Sequence, residues 1–466
     1  MIEKFINDTD INIHISAMTE VEELFRGCGP LPPVCVRAFD TVPPSASAGF
    51  SDGSAGVSCT ADKAQYAAKK AVFMLLSERT SASPAWGSLT GVKPLKLLVQ
   101  LREKGLADSE CREYFSRNFL ISKEKMDLLL SCLGPHMEKL YPEGDDFSLY
   151  VHIPLCLSKC TYCSFPSAVT PMGSPLCEEY LEALEKEITA VTQFFRGRRA
   201  DSCYIGGGTP SILSSRQAAR LLGQINELCP DLEELTFEAG RADTLDEEKL
   251  RTLRSLGVTR ISLNPQTSCE RTLSAINRRA TFSDFLSMFG AARDAGFGNI
   301  NCDIIFGLGD ETREECFRSL SDIIATGCEN ITLHTLCKKR TSELDRDEME
   351  KKDLPVASWM DDASEVLKEA GYVPYYLYRQ KSALDNAENT GYCRPGYANI
   401  YNIRMMGERQ TILSAGAGST TKVYFPQEDR FENIYNIKNI RLYIDTIDQV
   451  IDRKLSRLEK VLSGGR

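Results

Sequence analysis

The chain has 466 residues, of which 42% are apolar and 26% charged, with a formal net charge of -10. These ordinary globular values exclude a disordered chain, a collagen-like fibre and a small disulfide-stapled scaffold. The acidic balance leaves no general nucleic-acid footprint. No apolar run reaches the ~18 residues needed to cross a bilayer, and the opening MIEKFINDTDINIH lacks a secretory pattern, so a cytoplasmic protein without a membrane span is expected.

In chain order, residues 1–145 mix strands and helices. The Pro/Ser/Gly-rich stretch TVPPSASAGFSDGSAG (41–56) reads as a loop. ADKAQYAAKKAVFMLL reads as a helix, rich in Ala, Lys, Leu and Met, and a second helix is expected over 123–140. YPEGDD (141–146) marks a boundary. From there to 378, short β-branched or aromatic runs alternate with helical stretches. The strands expected are FSLYVHI (147–153), DSCYI (201–205), EELTFE (233–238), VTRISL (258–263), NINCDIIF (299–306), NITLHTL (330–336) and YVPYYLY (372–378). Such alternation predicts parallel strands joined by right-handed crossovers, a barrel or partial barrel with its chemistry at the C-terminal ends of the strands. Residues 379–466 read as a separate C-terminal segment packed against the barrel.

Cysteine is the unusual residue type. There are 17, an odd number on a chain without an export signal, so a disulfide framework is not expected and most read as small buried apolar residues. Cys156, Cys160 and Cys163, in YVHIPLCLSKCTYCSFP, are different. They have the spacing C-x3-C-x2-C and directly follow the first barrel strand. Such a loop wraps three sulfurs around one object, as an iron-sulfur cluster requires. A zinc site normally takes four ligands, often as two Cys pairs, and no second pair is present; zinc and a purely structural role stand as the alternatives. Three thiolates on a [4Fe-4S] cluster leave one iron open for a substrate or cofactor.

This triplet resembles the signature of the radical S-adenosylmethionine (SAM) superfamily. YVHIPLCLSKCTYCSF resembles the start of the oxygen-independent coproporphyrinogen III oxidase group, as do GGGTPS (206–211), TFEAG (236–240), RISLNPQT (260–267), INRR (276–279) and NCDIIFGL (301–308), in the expected order. WGSLTGVKPLKL (86–97), YYLYRQK, IYNIRMM and GAGSTTK resemble the HemZ-type coproporphyrinogen dehydrogenase branch. The resemblance implies an α/β fold, a partial (β/α)6 TIM-like barrel at 146–378, with an N-terminal α/β domain (1–145) and a substrate-covering segment (379–466).

It also implies the cofactors, a [4Fe-4S] cluster on the three cysteines and SAM. Glycines let backbone approach a ligand and expose N–H groups; the resemblance places Gly207, Gly208 and Thr209 at the methionine end of SAM. Glu238, a strand-end carboxylate, is placed to accept from an amine or from ribose hydroxyls, and the resemblance makes Gln266 and Arg278 the ribose and carboxylate partners. Asp303 is costly to bury unpaired, and the SAM sugar or Arg278 is its expected partner. Tyr150 and Tyr162 flank the cluster and are candidates for stacking or hydrogen bonding near SAM. Arg260 reads as a similar cation or as the partner of a neighbouring acid. His152 and His334 read as structural, and SAGAGS (414–419) as close-packed backbone near the substrate.

The implied reaction is oxidative decarboxylation of coproporphyrinogen III to protoporphyrinogen IX, fed by a one-electron donor such as flavodoxin or ferredoxin. A substrate with four propionates needs local positive charge. Lys338, Lys339, Arg340, Arg379, Lys381, Arg394, Arg404, Arg409 and Lys422 are the candidates. A sister branch works as a haem chaperone; its HN-x-x-YW motif does not occur, the nearest stretch being NIYNIRMM. A radical SAM enzyme acting on another substrate is the third reading.

Overall fold

The structure is a computed structural model that describes residues 2–8, 13, 15–25, 28, 30–337, 342–343 and 354–464. The chain forms two compact units: Met1–Leu133, Asp345–Asp362 and Leu377–Glu388 make the first, and Gly134–Leu344, Ala363–Tyr376 and Asn389–Arg466 the second.

The first unit holds a four-stranded sheet in sequence order: β1 (Ile2–Asp8), β2 (Val34–Phe39), β3 (Ser45–Phe50) and β4 (Gly56–Thr60). Only β1 and β2 run parallel. Strand β3 corrects the expectation of a loop over 41–56. Its composition is small and polar, but Ala46, Ala48 and Phe50 alternate inward, and pairing with β2 and β4 outweighs the local turn signal. Helix α1 (Ile15–Glu22) and helix α2 (Ala64–Thr80) complete this core. Helix α2 turns Ala64, Ala67, Ala68 and Ala71 inward, side chains small enough for close helix-to-sheet approach. Helices α3 (Pro94–Glu103), α4 (Asp108–Phe119) and α5 (Lys123–Leu140) follow, the last as expected.

The strands after residue 146 are β5 (Phe147–Ile153), β6 (Leu155–Cys156), β7 (Ala168–Val169), β8 (Ala200–Gly207), β9 (Glu234–Gly240), β10 (Arg260–Leu263), β11 (Ile300–Phe306), β12 (Asn330–Thr335), β13 (Val373–Arg379), β14 (Glu388–Cys393), β15 (Ile412–Ala415), β16 (Thr420–Phe425) and β17 (Arg430–Tyr435). Six of them, β5-β8-β9-β10-β11-β12, are parallel neighbours in sequence order. They form the expected partial (β/α)6 barrel. The intervening helices include α6 (Pro175–Phe194), α7 (Ser215–Leu228), α8 (Glu247–Ser255), α9 (Glu270–Ala275), α10 (Phe282–Asp294) and α11 (Arg313–Ala325). The starts of α6, α7, α8, α10 and α11 are capped by Ser174, Ser214, Asp246, Thr281 and Thr312, whose side chains accept orphan backbone N–H groups.

Two parts of the sheet depart from simple alternation. The seventh expected strand, β13, is not the neighbour of β12: β14 lies between them, antiparallel to β12. At the other side β15 adds in parallel to β5, followed by the antiparallel β16 and β17. Residues 379–466 thus contribute strands to both ends of the barrel sheet. They also supply α12 (Ile400–Gly407), α13 (Ile440–Asp445) and α14 (Ile447–Leu462). Among the described residues, no helix is long and apolar enough to cross a membrane.

Helix α14 is tied down by a buried ion pair. Lys454 Nζ stands 2.7 Å from Glu187 Oε1 on α6, and it also donates to the Ser414 carbonyl of β15. Asn436, Tyr443 and the Gly416 N–H fill the remaining sites of the Glu187 carboxylate at 2.6–2.8 Å. The SAGAGS loop is close-packed, as expected: a Cβ on Gly416, at φ +109, would lie 2.2 Å from the His152 carbonyl oxygen.

Candidate functional site

The C-terminal ends of the parallel strands carry the site. After β5 the chain forms the short strand β6, whose Cys156 pairs in register with Val169 of β7. The segment between them is a loop with Cys160 and Cys163 on one turn, the Cys163 N–H donating to the Cys160 carbonyl at 3.0 Å. The residues after α9 brace it. Thr161 N–H donates to the Ile276 carbonyl at 3.3 Å, and Asn277 Nδ2 to the Lys159 carbonyl at 2.7 Å. All three thiols are free; Cys156 and Cys160 are buried and Cys163 is half-buried. Burial pushes the Cys163 thiol up, and the neighbouring Cys160 and Cys156 push it further, so the three sulfurs share one electrostatic neighbourhood.

The glycine turn at the end of β8 lies against this loop. A Cβ on Gly208 would fall 2.5 Å from the Leu155 carbonyl oxygen and 3.0 Å from Cys156 Sγ, and one on Gly206 would fall 2.8 Å from Glu238 Oε2. Gly207, at φ +117, would place a Cβ 2.6 Å from His152 Nδ1. No side chain fits at these positions. The expectation that these residues expose N–H groups is corrected. Gly207 N–H donates to Glu238 Oε2 at 3.1 Å, Gly208 N–H to the Ile153 carbonyl and Thr209 N–H to the Leu155 carbonyl, both at 2.8 Å. The turn offers a ligand close approach rather than backbone donors. Thr209 spends its hydroxyl on Cys156 Sγ at 3.5 Å.

Glu238, near the end of β9, is partly accessible. Burial raises its carboxyl to about 7, against the lowering effect of Tyr204, whose hydroxyl donates to Oε1 at 2.5 Å. Tyr204 stacks on Tyr401 of α12 at 4.6 Å between centroids, and Tyr150 stacks on the same ring at 5.8 Å. Tyr150 also shares a 2.8 Å hydrogen bond with His152 Nδ1, and burial pushes that imidazole down to about 4, so it stays neutral. This supports a structural His152.

Gln266, at φ +71, is fixed between strands: its N–H donates to the Asp303 carbonyl and its carbonyl accepts from Ile305 N–H, both at 2.9 Å. Its side-chain Oε1 is buried with no partner among the described residues, and so is Arg278 Nε. The rest of the Arg278 guanidinium donates to the Asn264 carbonyl and, at 3.2 Å, to the Tyr162 hydroxyl. Asp303 does not meet Arg278 as expected. It accepts from Asn301 Nδ2 at 2.8 Å and faces His334 Nε2 at 3.6 Å. Burial alone would raise its carboxyl; His334, Asn301 and Thr332 outweigh that and hold it below the ordinary value. Arg260 pairs with Glu234 at 3.4 Å, the neighbouring-acid reading.

Three residues of this region were not singled out by the sequence reading: Arg241, Tyr204 and Tyr401. Arg241 lies three residues beyond Glu238, and the pattern Arg-x-Asp just past a strand end was its one available signal. It is buried, forks onto both oxygens of Asp243 at 2.8–2.9 Å, and turns Nη1 onto the cysteine loop. Beside it a shallow cleft is lined by Arg241, Asp243, Asn264, Arg278, Phe282 and Phe285, among others.

The cations expected to receive propionates are mostly committed elsewhere. Arg404 faces Asp201 at 3.6 Å, Lys422 faces Glu408 at 3.7 Å, and Arg409 pairs with Asp429. Arg394 donates to the Ala370 carbonyl and lies over the Tyr372 ring. Lys381 pairs with Glu20, and Arg379 lies over the Trp86 ring while donating to the Leu89 carbonyl. Lys338, Lys339 and Arg340 lie outside the described residues.

Residues 150–323 match the family model of the radical SAM superfamily. The chain is 35% identical over 398 residues to the oxygen-independent coproporphyrinogen-III oxidase-like protein HemZ of Bacillus subtilis, covering 83% of this chain and 79% of the relative. The chain belongs to the radical SAM family of HemN- and HemZ-like proteins. The heme chaperone HemW of Bacillus subtilis is 34% identical over 192 residues, 41% of this chain and 50% of that one. Coproporphyrinogen III oxidase (HemN) from Escherichia coli, whose structure is described as that of a radical SAM enzyme, shares the fold at a TM-score of 0.53 and 22% identity, over 68% of this chain and 73% of that one.

Members of this family use a [4Fe-4S] cluster and SAM. The residues present fit such a pair. Three free thiols share one loop, with two guanidiniums beside Cys160. Arg278, beside Cys160, keeps a buried Nε with no internal partner, and Gln266, hydrogen-bonded to the strand of Asp303, keeps a buried Oε1 without one, an arrangement tolerated where a ligand completes it. Among the described residues, no three His, Cys, Asp or Glu side chains converge for a single metal ion; a cluster places each cysteine on a different iron and does not ask for that convergence.

Proposed function

We propose that this chain is a radical SAM oxidoreductase that converts coproporphyrinogen III to protoporphyrinogen IX: each of two propionates would give a hydrogen atom to a 5′-deoxyadenosyl radical, one electron to an external one-electron acceptor, and CO2, leaving a vinyl group. Cys156, Cys160 and Cys163 would hold the cluster. Gly207, Gly208, Thr209, Glu238, Gln266, Arg278 and Asp303, with Tyr150 and Tyr162, would hold SAM. When bound, this pair supplies a one-electron cleavage that yields a 5′-deoxyadenosyl radical. The protein's own part is geometry. Arg278 presents a planar cation to a carboxylate, Glu238 and Gln266 present acceptors, and the glycine turn lets the ligand lie against the cysteine loop. The observation that carries the reading is three free thiols on one loop with Arg278, whose buried Nε has no internal partner, beside Cys160.

The substrate is supported by the extent of the likeness to HemZ, 83% of this chain against 41% to 62% for HemW alignments, and by the missing HN-x-x-YW motif. A one-electron donor such as flavodoxin or ferredoxin would serve it, in the cytoplasm. The test is anaerobic incubation of reconstituted protein with SAM, a reductant and coproporphyrinogen III. Release of CO2 and protoporphyrinogen is expected. Tight haem binding without turnover would replace this reading with the chaperone one.

A further inference from the structure

The three cysteines do not sit in equal surroundings. Cys156 receives the Thr209 hydroxyl, and Cys163 is the most accessible of the three. Cys160 lies near two guanidiniums, those of the buried Arg241 and the half-buried Arg278. Arg278 is already occupied in the SAM assignment above; Arg241 is not. Its Nε and Nη2 grip both oxygens of Asp243, a planar fork that fixes the guanidinium. The remaining Nη1 donates to the Ser158 hydroxyl at 2.8 Å and to the Ser158 carbonyl at 3.2 Å, and reaches Cys160 Sγ at 4.0 Å. Arg241 is 4% exposed, so solvent does little to screen its charge. Ser158 in turn donates to the Asn277 carbonyl at 3.4 Å, which links the clamp to the brace behind the loop.

We infer that Arg241 is a positioning residue that holds the turn carrying Cys160 and tunes the redox poise of whatever Cys160 ligates. The inference rests on the assignment of Cys160 to the cluster. A fixed positive charge with an N–H aimed at a thiolate sulfur withdraws electron density from it. It stabilises the more negative, reduced form of the centre, and therefore raises its reduction potential. Asp243 grips the Nε–Nη2 edge and not the Nη1 that reaches the sulfur, so it offsets only part of this effect. Lysine cannot span Asp243, Ser158 and Cys160 together, since its ammonium is a single point donor.

The test compares wild type with Arg241→Met and Arg241→Lys after anaerobic reconstitution of the full chain. Iron and sulfide content and the midpoint potential from a dithionite titration followed by electron paramagnetic resonance are the readouts, taken without SAM or substrate. The expected result is reduced iron retention on gel filtration in Arg241→Met. Its reduction equilibrium should move at least tenfold toward the oxidised form, about 59 mV for one electron. Arg241→Lys should load iron and shift the same way by less. A fully loaded Arg241→Met at the wild-type potential overturns the inference. If Arg241→Met does not fold, as judged by circular dichroism, Arg241→Lys decides: the wild-type potential there overturns it equally. A wild-type protein that binds no iron overturns the cluster assignment itself, a separate outcome visible before any variant is made.

Discussion

Two glutamates in the same unit, the buried Glu187 and the half-buried Glu238, show what separates a residue that holds the molecule together from one kept ready for a ligand. Glu187 has four donors on its two oxygens: Lys454, Asn436, Tyr443 and the Gly416 N–H. Burial would raise its carboxyl, but Lys454, Tyr443 and Asn436 outweigh it and hold it below the ordinary value. Glu238 has one donor per oxygen and no cation, and its carboxyl rises to about 7. The first is a closed account of hydrogen bonds. The second keeps spare acceptor capacity and no counter-charge. That spare capacity, rather than desolvation, separates the two carboxylates.

The contrast can be broken by substitution. The largest effect is expected for the triple change of Cys156, Cys160 and Cys163 to Ala: complete loss of cluster iron and of SAM cleavage, with urea unfolding of the apoprotein nearly unchanged. Iron retained at wild-type stoichiometry would remove the site assignment. Next comes Glu187→Gln, which leaves Lys454 buried without its counter-charge. A loss of about 3–5 kcal/mol is expected in urea denaturation, and a change below about 1 kcal/mol would show that the network is not structural. Glu238→Gln should reverse the pattern. Stability at neutral pH should hold or rise, while SAM binding to the reconstituted protein weakens about tenfold in calorimetry, as for a lost hydrogen bond to a charged group.

The same pair should respond to pH in opposite directions. Glu238 titrates at about 7 in the folded chain against an ordinary 4.5, so the folded state binds the extra proton between those values. Its contribution is present below pH 4.5 and is lost as pH rises through 7, by about 3 to 3.5 kcal/mol in all. Glu187, held low, contributes above its ordinary value and loses that contribution as pH falls through its depressed one. Urea midpoints at pH 5 and pH 7 should converge in Glu238→Gln relative to wild type; an unchanged gap would contradict the raised carboxyl. The smallest effect is expected for Thr209→Val, which removes one hydroxyl from Cys156 Sγ: slower iron uptake during reconstitution, with stability changed by about 0.5–1.5 kcal/mol.

Much of the barrel was legible because each strand-helix unit is local. The seven expected strands all exist, within two residues of their expected ends. Long-range pairing was not legible. Nothing near Glu388 or Ile412 announces that β14 inserts next to β12 or that β15 joins β5, since those partners lie far away in the chain. Strand β3 was hidden by its small residues. In the site, Cys156, Cys160 and Cys163 announced themselves by spacing, and Glu238, Gln266 and Arg278 by motif. Arg241 and Tyr401 did not, because their importance comes from what they touch across the fold. Asp303 was recognised as needing a partner, yet His334 could be identified as that partner only once β11 and β12 were paired.

The lock on Glu187 has a consequence for biosynthesis. The cysteine loop and its glycine turn are complete early in translation, but the lysine that fastens Ser414 and Glu187 is 267 residues downstream of Glu187. Gly416, pressed against the backbone of His152, reaches its place through that late fastening. The side of the barrel beside Gly416 therefore cannot be fastened until residue 454 has left the ribosome, long after the cysteine loop has been made.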